Sequence, residues 1–238
     1  AVVLGVGRPG DFLAVAPIYA PYSINVSDSW TEFTPKASIE WDFDDDAMAY
    51  FSAAKGFKGG GWQGVAANAT FAERAYDPET AWTYEVGLKT ELLDRRVRLN
   101  IASFYTDFQN LQVELLDDVN LVLILENATD AKIRGHEIEL EAKISSYLTA
   151  YTTASFLDTE YDNYVSAFSA EDLSGNDLQR TPEKQYNLGF NFRRPIANGL
   201  EILANAHYSH QGKIFYAPQN TNFEDSYSLF DMRIGIGS

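Results

Sequence analysis

Apolar and polar residues alternate along most of this chain. In KQYNLGFNF, Tyr186, Leu188, Phe190 and Phe192 fall on one side of an extended strand and Gln185, Asn187, Gly189 and Asn191 on the other. WTYEVGLK sets Trp82, Tyr84, Val86 and Leu88 against Thr83, Glu85, Gly87 and Lys89. RGHEIELEAKI places Glu137, Glu139 and Glu141 in one row, with His136, Ile138, Leu140 and Ala142 in the other. The same period predicts strands near 33–43, 47–56, 81–91, 96–108, 131–142, 147–157, 184–193, 199–209 and 227–236. Helical periodicity is hard to find.

The connections separate two readings of this alternation. Short turns near 44–46, 93–96, 144–146 and 194–198 alternate with long polar loops near 57–80, 109–130, 158–183 and 210–226. Loops longer than ~15 residues are uncommon in compact domains. A soluble sandwich has no reason to gather every long loop at one end, whereas a transmembrane β-barrel does. The strand lengths also suit the ~9–11 residues that cross a bilayer at a tilt. With the short turns placed on the inner side, Trp82, Tyr84, Phe104, Tyr105, Phe156, Tyr186, Tyr208 and Phe230 lie towards the outer ends of strands. Trp41, Phe43, Tyr50, Tyr147, Phe190 and Phe192 lie towards the inner ends. Aromatic side chains settle at both membrane interfaces, although they also favour strands in general. On the barrel reading Val86, Ile138, Leu140, Leu188 and Phe190 face lipid. Glu85, Glu137, Glu139, Glu141, Asn187 and Asn191 face the lumen, and a one-residue slip would turn the carboxylates into lipid.

Composition narrows the function classes. The chain has 238 residues, 18 lysines and arginines against 34 acids, and a net charge of -16. That balance excludes nucleic acid as a partner, because phosphates call for a basic patch. Without cysteine there is neither a disulfide framework nor a thiolate metal site. No apolar run approaches the ~20 residues of a membrane helix. AVVLGVGRPG lacks the pattern of a signal peptide, so an exported protein would have its N-terminus upstream of Ala1.

Candidate chemistry is sparse. GVGRPG at 5–10 matches a dinucleotide-binding spacing, but Pro17 and Pro21 argue against the helix that must follow. KGFKGGGWQG at 55–64 lacks the ending of a phosphate loop and reads as a strand leading into a surface loop. His136, His207 and His210 are not at metal-ligand spacing, and no nucleophile elbow is present. The three glutamates stand ~7 Å apart along their strand, near glycosidase separations, yet rows of lumenal acids explain them more simply. DTEYDNY at 158–164 has acids that could meet calcium, but not the order or the glycine of an EF-hand. We therefore expect no enzyme, no cofactor and no metal site.

Several stretches together resemble the C-terminal half of the barrel of TonB-dependent outer-membrane receptors. They are FTPKASIEWDFDDDAMAYFSAAKGFKGGGWQ (33–63), DPETAWTYEVGLKTELLDRRVRLNIASFYTDFQNLQV (77–113), ENATDAKIRGHEIELEA (126–142), RTPEKQYNLGFNF (180–192) and the final YSLFDMRIGI. The resemblance covers about residues 28–236 and implies an all-β fold. It would be an antiparallel transmembrane β-barrel portion of about 9–11 strands, within a barrel of about 22 strands and a plugged lumen. Residues 1–238 would be one partial barrel domain, with 1–32 an extracellular loop or strand remnant and 33–236 the barrel strands. The plug and the segment that contacts the TonB complex are not in these residues, which implies a piece of a longer protein.

The resemblance further implies an active-transport receptor in the outer membrane of a Gram-negative bacterium. It would be driven by TonB coupling, surrounded by lipid and lipopolysaccharide, and would take up a ferric siderophore or another scarce nutrient. A passive porin and a soluble β-rich carbohydrate-binding protein are the alternatives. Ligand contacts are expected on the outer loops, where aromatic and polar groups are held by a rigid scaffold. These are Phe57, Lys58, Trp62 and Gln63 in the glycine-rich segment, Tyr161 and Tyr164 in the acidic loop, and Arg180, Tyr216 and Gln219 beyond. Glycines beside Trp62 would let it swing onto a ligand.

Overall fold

The computed structural model describes residues 22–66, 68–117, 122–128 and 130–237. Nine long strands pair in chain order as one antiparallel sheet: β1 (Lys36–Asp44), β2 (Ala47–Lys58), β3 (Glu79–Leu92), β4 (Val97–Gln109), β5 (Asp130–Lys143), β6 (Leu148–Asn163), β7 (Lys184–Pro195), β8 (Glu201–Gln211) and β9 (Tyr227–Gly237). Each strand predicted from the alternation is present. β6 extends outward beyond its predicted end at 157 because its pairing with β5 continues through Asp158 with Arg134 and Glu160 with Lys132. Residues 22–35 carry no regular secondary structure. The sheet is open, as a portion of a larger barrel must be.

Register separates two faces. Opposed residues across an antiparallel pair point the same way, so Ala49, Leu88, Ile101, Ile138, Ala154 and Tyr186 form one continuous apolar row across six strands. The neighbouring row on the other face runs Met48, Lys89, Asn100, Glu139, Thr153, Asn187 and Ser209. Apolar side chains on the first face are bare: Ile39 is 71% exposed, Phe230 66% and Ile236 69%. A contiguous surface of this kind is unstable in water and at home in hydrocarbon.

Three glycines of the polar face have a packing role. Gly87 lies opposite Tyr50, Gly135 opposite Phe104 and Gly189 opposite Tyr151. A Cβ at any of them would overlap the facing ring. Each aromatic ring lies across the bare backbone of its partner, restoring contact where a glycine would weaken a strand. Tyr50 and Phe104 therefore belong to the polar face, not to the interfacial aromatic bands in which their position along the strand had placed them.

The short turns are tightly braced. Leu93, Asp94 and Arg95 hold φ of 56°, 54° and 60°, three successive left-handed residues without a glycine. Such residues cost energy unless neighbours hold them. Here the Arg95 guanidinium donates to Asp46 at 2.8 Å, and Arg96 donates to the carbonyls of Lys143 and Ile144 at 2.9 and 2.7 Å. Two arginines thus tie three adjacent turns together.

Candidate functional site

Among the described residues, the most deeply buried side chains lie in the long loops and at the outer ends of the strands that feed them. Val113, Ala128, Ala131, Tyr161, Tyr164, Leu173 and Leu178 form one cluster, flanked by Phe108, Leu111 and Ile133. Phe108, Ala131 and Tyr161 are in register with one another and share the face of the glutamates. The loop core therefore sits on the polar side, folded over the interior face. Short two-stranded ribbons stiffen it, at Gly61–Trp62 with Ala75–Tyr76, Gln112–Asp117 with Val122–Asn127, and Ile214–Phe215 with Phe223–Glu224. A one-turn helix, Ala69–Ala72, is capped by the Asn68 side chain accepting from the Phe71 N–H.

Hydrogen bonds lock each loop to the next. Gln63 donates to the Leu125 carbonyl at 2.6 Å and accepts from its N–H at 2.8 Å. The Asn127 amide donates to the carbonyls of Asp77 and Asn110. Tyr164 donates to Glu126 at 2.6 Å, and the other Glu126 oxygen accepts from the Phe168 N–H. Asn176 donates to the Pro218 carbonyl, and Arg180 N–H to that of Phe215. Burial, followed by the bond to Glu126, raises the Tyr164 phenol above its usual range. Asp177 is also raised, by burial and then by the nearby Glu183 and Asp158 carboxylates.

The nine expected contact residues separate into distinct environments. Tyr161 and Tyr164 are 1% and 0% exposed, with rings 5.1 Å apart. They are keystones of the loop core with no face left for a ligand. Gln63, at 8%, is used up by its two backbone bonds. Phe57 shares the outward face of Phe51, above Tyr84 and Trp82, so it points away from the interior. Lys58, one residue on, points inward and is exposed. Trp62 is half-buried with its ring 5.7 Å from Trp30, and the glycines before it admit neighbours: a Cβ on Gly60 would strike the Tyr76 carbonyl and crowd Trp30. They serve close packing, not a swinging side chain. Arg180 (φ 58°) stands exposed in a left-handed turn, its guanidinium 3.4 Å from Glu114. Tyr216 is exposed and donates to Glu224, and Gln219 is half-buried.

The lumen-face set is brought together. Glu85 accepts from Tyr50 at 2.6 Å, Glu139 accepts from Asn100, Asn191 accepts from Asn205, and Asn187 donates to Thr153. Glu137 and Glu141 lie on the same face. Asp158 and Asp162 are engaged by Arg134 and Lys132 on the opposite, outward face, so the acidic stretch gathers no cation-binding cluster. Among the described residues no three histidine, aspartate or glutamate side chains converge to hold a metal. The GVGRPG segment lies outside the described residues.

Lys213 is a feature that the alternation could not reveal. Its ammonium lies 3.7 Å from the Phe223 ring centre and 4.6 Å from that of Phe215, whose planes meet edge to face. It borders a cavity with Asp177, Thr181, Glu183 and Thr159. Trp30 was likewise missed, because it precedes the first predicted strand. An aromatic two residues from a charge in a loop was the available signal at both places.

A family model for TonB dependent receptor-like β-barrels matches residues 9–237. The chain is 28% identical over 177 residues to the probable TonB-dependent siderophore receptor PiuA of Acinetobacter baumannii, covering 72% of this chain and 23% of that protein. It is 24% identical over 127 residues to the metal-pseudopaline receptor CntO of Pseudomonas aeruginosa, covering 53% of this chain and 17% of the relative. Among solved structures, the ferric yersiniabactin uptake receptor FyuA from Yersinia pestis superposes with a TM-score of 0.69 at 21% identity, covering 84% of this chain and 29% of that one. The chain thus spans less than a third of each of these three proteins. Open sheet, paired faces, alternating turns and the family match agree, and the chain belongs to the TonB-dependent receptor-like β-barrel family.

Proposed function

We propose that this chain is part of the barrel of an outer-membrane active-transport receptor that takes up a ferric siderophore through TonB coupling. The observation that carries the reading is the loop layer: four long loops, hydrogen-bonded to one another, folded over the interior face of an outward-apolar sheet. A passive porin needs a permeable lumen lined by charge, and an interlocked loop layer folded over the interior face is poorly suited to that. A soluble carbohydrate-binding protein would leave the apolar face in water. Relatives named as siderophore and metal-chelate receptors support a metal chelate as cargo.

Within this reading, Lys58, Trp62, Arg180, Tyr216 and Gln219 retain access to a ligand on the inner and upper side of the loops. Lys58 and Arg180 offer charge-assisted bonds to an anionic chelate. The test uses the full-length receptor with Lys58→Ala, Trp62→Ala and Arg180→Ala combined. Uptake of radiolabelled ferric siderophores is expected to fall at least ~10-fold, which corresponds to about 1.4 kcal/mol of lost binding. Unchanged binding and uptake would refute the contact set, and loss of TonB without loss of uptake would refute the energised mechanism.

A further inference from the structure

Two of the long loops meet around a cavity of about 400 Å³, within the ~300–1,000 Å³ range of small-molecule pockets. Asp177, Thr181 and Glu183 line it from the loop after β6, and Lys213 and Phe215 from the loop after β8. Hydrogen bonds fix both walls. The Asn220 side chain accepts from the Asp177 N–H at 2.8 Å and donates to its carbonyl at 3.0 Å, and the Arg180 N–H donates to the Phe215 carbonyl at 2.7 Å. The Gly212 N–H donates to the Lys184 carbonyl at 2.7 Å, and a Cβ on Gly212 would strike that same oxygen, so the residue before Lys213 is held against the start of β7. The charges nevertheless stay apart. Lys213 rests over the Phe215 and Phe223 rings and, among the described residues, makes no ion pair with the carboxylates that share its cavity. Burial, then the nearby Glu183 and Asp158 carboxylates, raise the Asp177 carboxyl, and Lys213 offsets only part of this.

We propose that this cavity binds a small zwitterion, its ammonium group against Asp177 and Glu183 and its carboxylate against Lys213. The proposal requires the loop layer to be folded as described, and does not depend on what the chain transports. Charge of each sign on a different loop selects this occupant. A dication would meet Lys213, and a dianion would meet the carboxylates, whereas a molecule with one charge of each sign pairs with both walls. Asp158 is already engaged by Arg134, which leaves Asp177 and Glu183 to take the ammonium group. A metal ion is the poorer occupant, because no three acidic side chains among the described residues converge to hold one. The two phenylalanine rings keep the Lys213 ammonium back from the carboxylates by attraction to their faces, and so hold the space between the charges open. Thr159 accepts from the Leu178 N–H at 3.2 Å, which leaves its hydroxyl proton to donate to a bound carboxylate.

Saturation-transfer NMR on the full-length receptor in detergent tests this with three five-carbon probes that differ only in their ends: 5-aminopentanoate, 1,5-diaminopentane and glutarate. At neutral pH wild type is expected to bind 5-aminopentanoate at least ~5-fold more tightly than either of the others, the worth of one added, partly exposed ion pair. Lys213→Gln is expected to bring the zwitterion level with diaminopentane. Asp177→Asn with Glu183→Gln is expected to bring it level with glutarate. Equal affinity of wild type for all three probes, or no saturable binding of 5-aminopentanoate, overturns the proposal, as does an unchanged preference in either variant. If the carboxylate variant does not assemble, the wild-type comparison and Lys213→Gln still decide. Heat-modifiable migration and siderophore uptake, measured in parallel, separate failure of this site from failure of the receptor reading.

Discussion

Tyr164 shows how much a single side chain can be asked to do. Its phenol joins the loop after β6 to Glu126 of the loop after β4. Removing the hydroxyl in Tyr164→Phe should destabilise the loop layer by about 1.5–3 kcal/mol, the worth of a hydrogen bond to a charged group. Hydrogen exchange of the loop amides would report it. Because the folded state holds the Tyr164 proton more tightly than an unfolded chain does, its contribution is complete below the unfolded value of about 10 and is lost as pH rises beyond it. Tyr164→Phe should remove that alkaline loss. At Gly189, Val should force the Tyr151 ring aside at a cost of about 1–3 kcal/mol, and Tyr151→Ala in the same chain should restore part of it. A Gly189→Val variant with an unaltered unfolding midpoint would mean the ring and the notch are not coupled. Neither role was legible in the sequence. A tyrosine in an acidic loop looks the same whether it awaits a ligand or fills a core, and only pairing register shows that Gly87, Gly135 and Gly189 each face a ring.

Strands were the most legible level. Period-two alternation located all nine because one face of each meets lipid and the other does not, a constraint that acts on every residue. The same constraint predicts the response to substitution. Leu140→Arg should impair assembly by about 2–4 kcal/mol, while Glu139→Gln, one residue away on the polar face, should be tolerated. Equal tolerance at both positions in a heat-modifiability assay would contradict the assignment of faces. Strand ends were less legible, since pairing between β5 and β6 outlasts the apolar pattern by several charged residues. Turn geometry was not legible at all: LDRR gives no hint of three left-handed residues. Asp94→Gly should therefore stabilise this turn by about 1 kcal/mol, read as a higher unfolding midpoint.

At the scale of the molecule, the account makes one central claim: the short turns and the long loops lie on opposite sides of a membrane, with the loop core on the outer side. Alternation of turn length carried that claim in the sequence, and the open antiparallel sheet gives it geometry. Asp45, in the turn between β1 and β2, and Asn163, at the outer end of β6, are both exposed. The direct measurement is labelling of single cysteines introduced at these positions in the full-length receptor, with any cysteine outside these 238 residues replaced by serine, using a membrane-impermeant maleimide on intact cells. Asn163→Cys should label in intact cells, and Asp45→Cys only after the outer membrane is permeabilised. Labelling of both in intact cells, or of Asp45→Cys alone, would contradict the account.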